Sequence, residues 1–155
     1  MLKKLKDLLF GLPPIEKNHN FFGKILYMDG KNPEQNDYWE NEQVVDGVKD
    51  PVSVFITAGI EGPTTEQVTF YKECINDLDK LFDKCWPIFE PDFEQLTHAK
   101  FTGYWKDSFE LMSIEIPKNA NSNNNWSVGY YVDKAHHYFT AQFVNGVPKH
   151  NEIDG

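Results

Sequence analysis

One stretch of the sequence constrains the fold more than any other. From Thr65 to Cys85, apolar residues Tyr71, Cys74, Ile75, Leu78, Leu81, Phe82 and Cys85 recur at three- and four-residue intervals. Charged and polar residues fill the other face: Lys72, Glu73, Asn76, Asp77, Asp79, Lys80, Asp83 and Lys84. That spacing predicts a long amphipathic helix that needs an apolar surface to cover its stripe. Trp86-Pro87 is the expected stop, because proline lacks an N–H and disfavours helical backbone just before it. The following Pro87–Phe101 stretch reads as irregular.

The surface for the helix is supplied by extended segments on both sides. Before it come Phe21–Met28, ending at Asp29-Gly30, then Asp37–Val45 and Pro51–Thr57. After it come Phe109–Pro117, Trp126–Val132 and His137–Val144, the first two joined by the Asn-rich run at 119–125. Strands, one helix and more strands predict an α+β class: an antiparallel sheet of about six strands with the helix on one face. Leu2, Leu5 and Leu9 add a short N-terminal helix with lysines beside its stripe. It is expected to dock on its own domain, with a membrane-surface position as the alternative. The 155 residues fit one domain, 1–155.

"VFITAGIEGPTTEQVTFY", Val54 to Tyr71, enters the helix through two glycines, as a phosphate-binding loop would. Its details oppose that use. Pro63 stands where a backbone donor is needed, and Glu61 would repel an anion. Thr64-Thr65-Glu66-Gln67 instead fits a capping box, so the corner reads as structural.

Charge narrows the partners. The net charge is −9, and all 15 basic residues are lysine. Without arginine there is no planar fork for phosphate, and without a basic footprint nucleic acid is not an expected partner. Residues 25–66 hold nine acids against two lysines, whereas residues 1–24 hold five lysines against two acids. An acidic surface is the complement of a cationic partner. Twelve Phe, seven Tyr and four Trp leave some rings for a contact surface after the core is filled.

Recognisable chemistry is sparse. Cys74 and Cys85, eleven helical steps or roughly 16 Å apart on one straight helix, cannot join in a disulfide and read as reduced core thiols, which suits a cytoplasmic protein. No apolar run reaches the length of a membrane span. Glu40 and Glu42 lie on one face of a strand about 7 Å apart, a carboxylate pair, beside Trp39, Asn41 and Gln43 on the other. Mixed faces suggest an edge strand guarded by charge, or an edge that receives a partner. His136 and His137 point to opposite faces if extended, and Asp133 with His136 provides only two ligands, so no metal site is expected. No serine elbow or dinucleotide fingerprint is found, and no cofactor is expected.

The run "YWENEQVVDGVKDPVSVFITAGIEGPTTEQVTFYKECIND", Tyr38 to Asp77, resembles a family of small, mostly uncharacterised bacterial domains. In that family an aromatic-Trp-Glu-Gly-Glu strand precedes a Gly-Pro-Thr-x-Glu-Gln helix start. "WSVGYYVDKAHHYFTAQFVNGVPKHNEID" looks like the family's closing hairpin. The chain departs at Asn41, where the pattern has Gly, and at Ala58-Gly59-Ile60, where it is acidic. The resemblance implies a non-enzymatic protein, in some members an immunity protein that neutralises a bacterial toxin. The expected partner surface is Asp37, Trp39, Glu40, Glu42 and Asp46, facing a cationic protein. A structural or regulatory domain with another partner, or a small enzyme with dispersed residues, are the alternatives.

Overall fold

The computed structural model describes residues 15–30 and 36–155. The expected N-terminal helix lies outside them. Among the described residues eight strands form one sheet in sequence order: β1 (Glu16–His19), β2 (Gly23–Met28), β3 (Tyr38–Gln43), β4 (Val52–Thr57), β5 (Phe109–Ile116), β6 (Trp126–Val132), β7 (His137–Val144) and β8 (Val147–Asp154). Between β4 and β5 the chain forms two helices, α1 (Thr65–Asn76) and α2 (Leu78–Thr97).

The expected antiparallel sheet of about six strands with one long helix is corrected on three counts. The sheet has eight strands; β1 and β8 are the additions, and both are polar edge strands, "EKNH" and "VPKHNEID". Pairing is mixed, because β4 and β5 run parallel while every other pair is antiparallel. Parallel neighbours require a long crossover, and the helical segment is that crossover. The helix is also two helices. Asp77 leaves helical geometry (φ −142°, ψ 88°), and its carboxylate accepts from the Lys80 N–H at 3.0 Å, capping α2. A one-residue break barely disturbs the three-and-four spacing, so periodicity runs across it unnoticed.

α2 does not stop at Trp86-Pro87 but continues through Pro87 and Pro91 to Thr97. Both prolines lie on its exposed face. The carbonyls they leave without a helical donor therefore lie on the solvent side, where water can satisfy them. On the opposite side Cys85, Phe89 and Phe93 continue the buried stripe. Burying each phenylalanine contributes about 1.5–3 kcal/mol, enough to carry the helix past its breakers. Phe89 lies parallel to Phe109 of β5 with centroids 6.0 Å apart, and Phe82 stacks on Trp105 at 4.9 Å.

Strand alternation divides the sheet into two faces. Ile25, Trp39, Val54, Ile56, Ile114, Ile116, Val128, Tyr130 and Phe139 face the helices and form the core with them. α1 contacts β5, and α2 contacts β7 and β8 on this same side. The opposite face carries no described helix. β3 is paired on both sides, with β2 and β4, so the expected edge strand is interior. Among the described residues, no helix is long and apolar enough to cross a membrane.

The corner between β4 and α1 is built as a clamp. Thr64 and Gln67 form the capping box, the Gln67 N–H donating to Thr64 Oγ1 at 3.2 Å and Gln67 Oε1 accepting from the Thr64 N–H at 3.0 Å. Gln67 is fully buried, and its Nε2 also donates to the carbonyls of Thr57 (2.8 Å) and Pro117 (3.1 Å). Those carbonyls lie where the parallel strands β4 and β5 end, so one side chain fixes α1 to the end of that ladder.

Candidate functional site: the open face of the sheet

The pairing register assembles three rows of side chains across the open face. In the first, Glu40 of β3 stands beside Phe55 of β4, and Phe55 beside Glu115 of β5. Ser127 of β6 donates from Oγ to Glu115 Oε2 at 2.9 Å, and Gln142 and His150 extend the row. In the middle row the partners run Glu42, Ser53, Ser113, Gly129, Thr140 and Glu152. The third runs Glu110, Tyr131, Tyr138 and Asp154.

The middle row is a trough. Four small residues floor it, a glutamate closes each end, and five strand steps separate the ends by about 24 Å. Gly129 is needed at the centre. A Cβ there would collide with Ser113 Oγ and meet Thr140 Oγ1 at 3.4 Å. Phe55 and Glu115 form one wall; Tyr131 and Tyr138, with rings 5.0 Å apart, form the other.

The electrostatics of this face are one-sided. Glu40, Glu42, Glu110, Glu115, Glu152 and Asp154 supply carboxylates along the three rows, with His150 among them; beside them, on β2, the same face carries Lys24, paired with Glu16 at 3.1 Å. Burial pushes the Glu115 carboxyl above its ordinary range, against the Ser127 hydrogen bond that pulls it down. A hydrogen bond to the Asp50 carboxyl, together with burial, pushes Glu110 up as well. Among the described residues no cation offsets the rise at Glu115, and Lys49 offsets the rise at Glu110 only in part. A cation placed over the trough would relieve them.

The five residues expected at a partner surface separate. Glu40 and Glu42 lie on the open face, half-buried and exposed respectively. Trp39 points the other way: it is 1% exposed, tilts against Tyr27 at 5.1 Å and donates its indole N–H to the Gly59 carbonyl at 2.8 Å. It is a core residue. Asp37 holds the β2–β3 connection, its two oxygens accepting from Tyr27 Oη (2.6 Å) and the Gly30 N–H (2.8 Å). That carboxylate, with burial, raises the Tyr27 hydroxyl to about 12. Asp46 is exposed in the loop after β3.

The remaining sequence candidates take structural places. Cys85 is buried, and burial raises both thiols, Cys74 to about 12, so neither is a thiolate at neutral pH. Asp133 begins a short turn that His136 closes with left-handed backbone (φ 54°). Among the described residues no three His, Cys, Asp or Glu gather at metal-ligand spacing. The Gly59–Pro63 loop is tied to β1, with Lys17 Nζ donating to the Glu61 carbonyl and His19 Nε2 placed 3.3 Å from the Pro63 carbonyl.

The residues missed by sequence reasoning are those contributed from beyond the helices: Ser113, Glu115, Gly129, Tyr131, Tyr138 and Glu152. Their signal was present locally as alternation, as in Ser113 and Glu115 between Ile114 and Ile116. Its meaning required knowing which strands are neighbours. No protein-family model, curated protein or solved structure matches this chain.

Proposed function

We propose that this is a non-enzymatic binding protein whose acidic trough receives a cationic segment of another protein. The carrying observation is the charge of the open face: six carboxylates along three adjacent rows, with one histidine among them. Complementary charge gives rapid, salt-sensitive association, and the aromatic walls supply contact area for the apolar stems of lysine or arginine. Neutralisation of a basic bacterial toxin is the form of this function that the family resemblance favours. The proposed surface keeps Glu40 and Glu42, adds Glu115 and Glu152, and excludes Trp39.

The test is titration against a basic protein encoded by the adjacent gene, with an oligolysine peptide as the defined probe, at low and physiological salt. Glu42→Lys with Glu152→Lys reverses charge at both ends of the trough without touching the core. The expected result is at least about a tenfold loss of affinity and a flatter salt dependence. Unchanged affinity in that double variant would remove the trough from consideration.

A further inference from the structure

Part of the open face is apolar, and no described element covers it. Alternation puts Leu26 and Met28 of β2, Tyr38 of β3 and Phe55 of β4 on that face. They lie in two neighbouring rows, Met28 with Tyr38 and Thr57, and Leu26 with Glu40 and Phe55. The Tyr38 and Phe55 rings meet edge to face at 6.1 Å. We propose that residues 1–14 of the same chain dock on this patch, their leucines on its apolar side chains and their lysines on Glu40 and Glu42.

Three observations carry the proposal. Met28 is 8% exposed, yet it does not belong to the core cluster beneath the helices. A sheet face buries its apolar side chains against a second layer, and on this side the described residues supply none. Second, the sequence of the segment matches the patch. Leu2, Leu5 and Leu9 recur at helical spacing, and Lys3, Lys4 and Lys6 stand against Asp7 alone. An apolar stripe with positive flanks complements an apolar patch bordered by Glu40 and Glu42; Lys24, on the same face, is already paired with Glu16 at 3.1 Å. Third, the segment is tethered beside the patch. The Ile15 carbonyl accepts from the Tyr27 N–H at 2.9 Å, and Tyr27 immediately precedes Met28. Three strand steps, about 14 Å, separate β1 from β4, and residues 1–14 would span about 21 Å even as a helix. Residues 31–35 also lie outside the described residues, but Lys-Asn-Pro-Glu-Gln has no aliphatic or aromatic side chain beyond Pro33.

The consequence is regulatory. Glu42 closes the β3 end of the trough and Glu40 stands beside it, so on the reading proposed above the segment competes with the cationic partner. A short tether gives it an effective concentration in the millimolar range, enough to hold the site against a weak competitor. Binding of the partner then requires release of the segment.

The experiment exposes the whole chain to dilute hydrogen peroxide and follows sulfoxide formation at Met28 and Met112 by mass spectrometry. Leu2→Ser/Leu5→Ser/Leu9→Ser removes the stripe, and Lys3→Glu/Lys4→Glu/Lys6→Glu reverses the flanks while keeping the leucines. Each variant should oxidise Met28 at least about fivefold faster and leave the rate at Met112 on β5 unchanged. An unchanged Met28 rate in both variants, or a rise shared equally by Met112, overturns the proposal. Carbodiimide should couple Lys3, Lys4 or Lys6 to Glu40 or Glu42 within one molecule. Coupling only between ¹⁴N and ¹⁵N copies in a mixture would assign the patch to a second copy of the chain and also overturn it. Oligolysine should bind the leucine variant at least about threefold more tightly than the native chain. Equal binding refutes the competition, whereas no binding to either chain counts against the trough and leaves the docking standing.

Discussion

Gln67 concentrates more of the fold's connectivity than a capping residue ordinarily does, and its replacement tests how the parallel pair is held. As a capping box alone, loss of the side-chain cap would cost about 1 kcal/mol, the figure expected for Thr64→Ala. The buried amide makes three side-chain hydrogen bonds: one accepted from the Thr64 N–H and two donated, to the Thr57 and Pro117 carbonyls. At about 1 kcal/mol net each, with partners left buried, Gln67→Ala should cost about 3–4 kcal/mol. Gln67→Glu separates the contributions. It keeps the acceptor, loses both donors and sets a carboxylate against two carbonyls, so at neutral pH it should be at least as destabilising as Gln67→Ala. Acidification, which restores one donor, should recover part of that loss. Urea unfolding followed by circular dichroism gives the stability of each variant from midpoint and slope. If Gln67→Ala lies within about 1 kcal/mol of Thr64→Ala, the clamp contributes nothing beyond the cap, and the reasoning fails.

Two further outcomes follow from the open face. Glu115 has a folded-state carboxyl raised above its ordinary 4.5, so its contribution is most favourable below that value and is lost as pH rises through the folded value. Glu115→Gln, which can still accept from Ser127, should be more stable than the native chain at pH 7. That advantage should vanish as the pH falls below 4.5, in urea unfolding across pH. Gly129→Ala should cost about 1–3 kcal/mol through the collision with Ser113 Oγ. Adding Ser113→Ala leaves Thr140 Oγ1 at 3.4 Å and the residue-113 Cβ at 3.7 Å, both van der Waals contacts, so the pair should recover most of the loss; strict additivity in a double-mutant cycle would refute the crowding.

How much of this was legible depends on the range of each interaction. The six apolar strands were found close to their observed bounds, because β-branched and aromatic residues announce themselves within a few positions. β1 and β8 were not, since an edge strand needs only backbone pairing and its side chains stay polar. One signal for β8 was available. Asn145-Gly146 has positive φ at both positions (53° and 79°), the two-residue turn this dipeptide favours, and it fixes β8 beside β7. Two prolines do not end α2. Proline's local rule holds for an isolated helix, but Phe89 and Phe93 were already spaced to extend the stripe, and core burial outweighs two exposed breakers. The parallel pairing was not legible, because a crossover of that length releases β4 and β5 from hairpin geometry without deciding their direction.

The site was less legible than the fold for a physical reason. Glu40 and Glu42 were found because they are neighbours in one strand, while Trp39 was grouped with them by sequence although alternation puts it on the opposite face. Proximity along a strand alternates between two environments, whereas proximity across strands preserves one. The trough is made wholly of the second kind: Glu42 and Ser113 lie on one face through β4, joined by pairings that span the whole helical crossover. Charge made the acidity of the chain visible, but only the register decides which carboxylates share a surface. A one-residue slip of β5 against β4 would exchange Ser113 and Glu115 for Ile114 and Ile116 and turn the trough apolar. Gln67, bound to the ends of both strands, is placed to oppose that slip, so the corner that binds no phosphate still bears on the surface proposed to meet the partner.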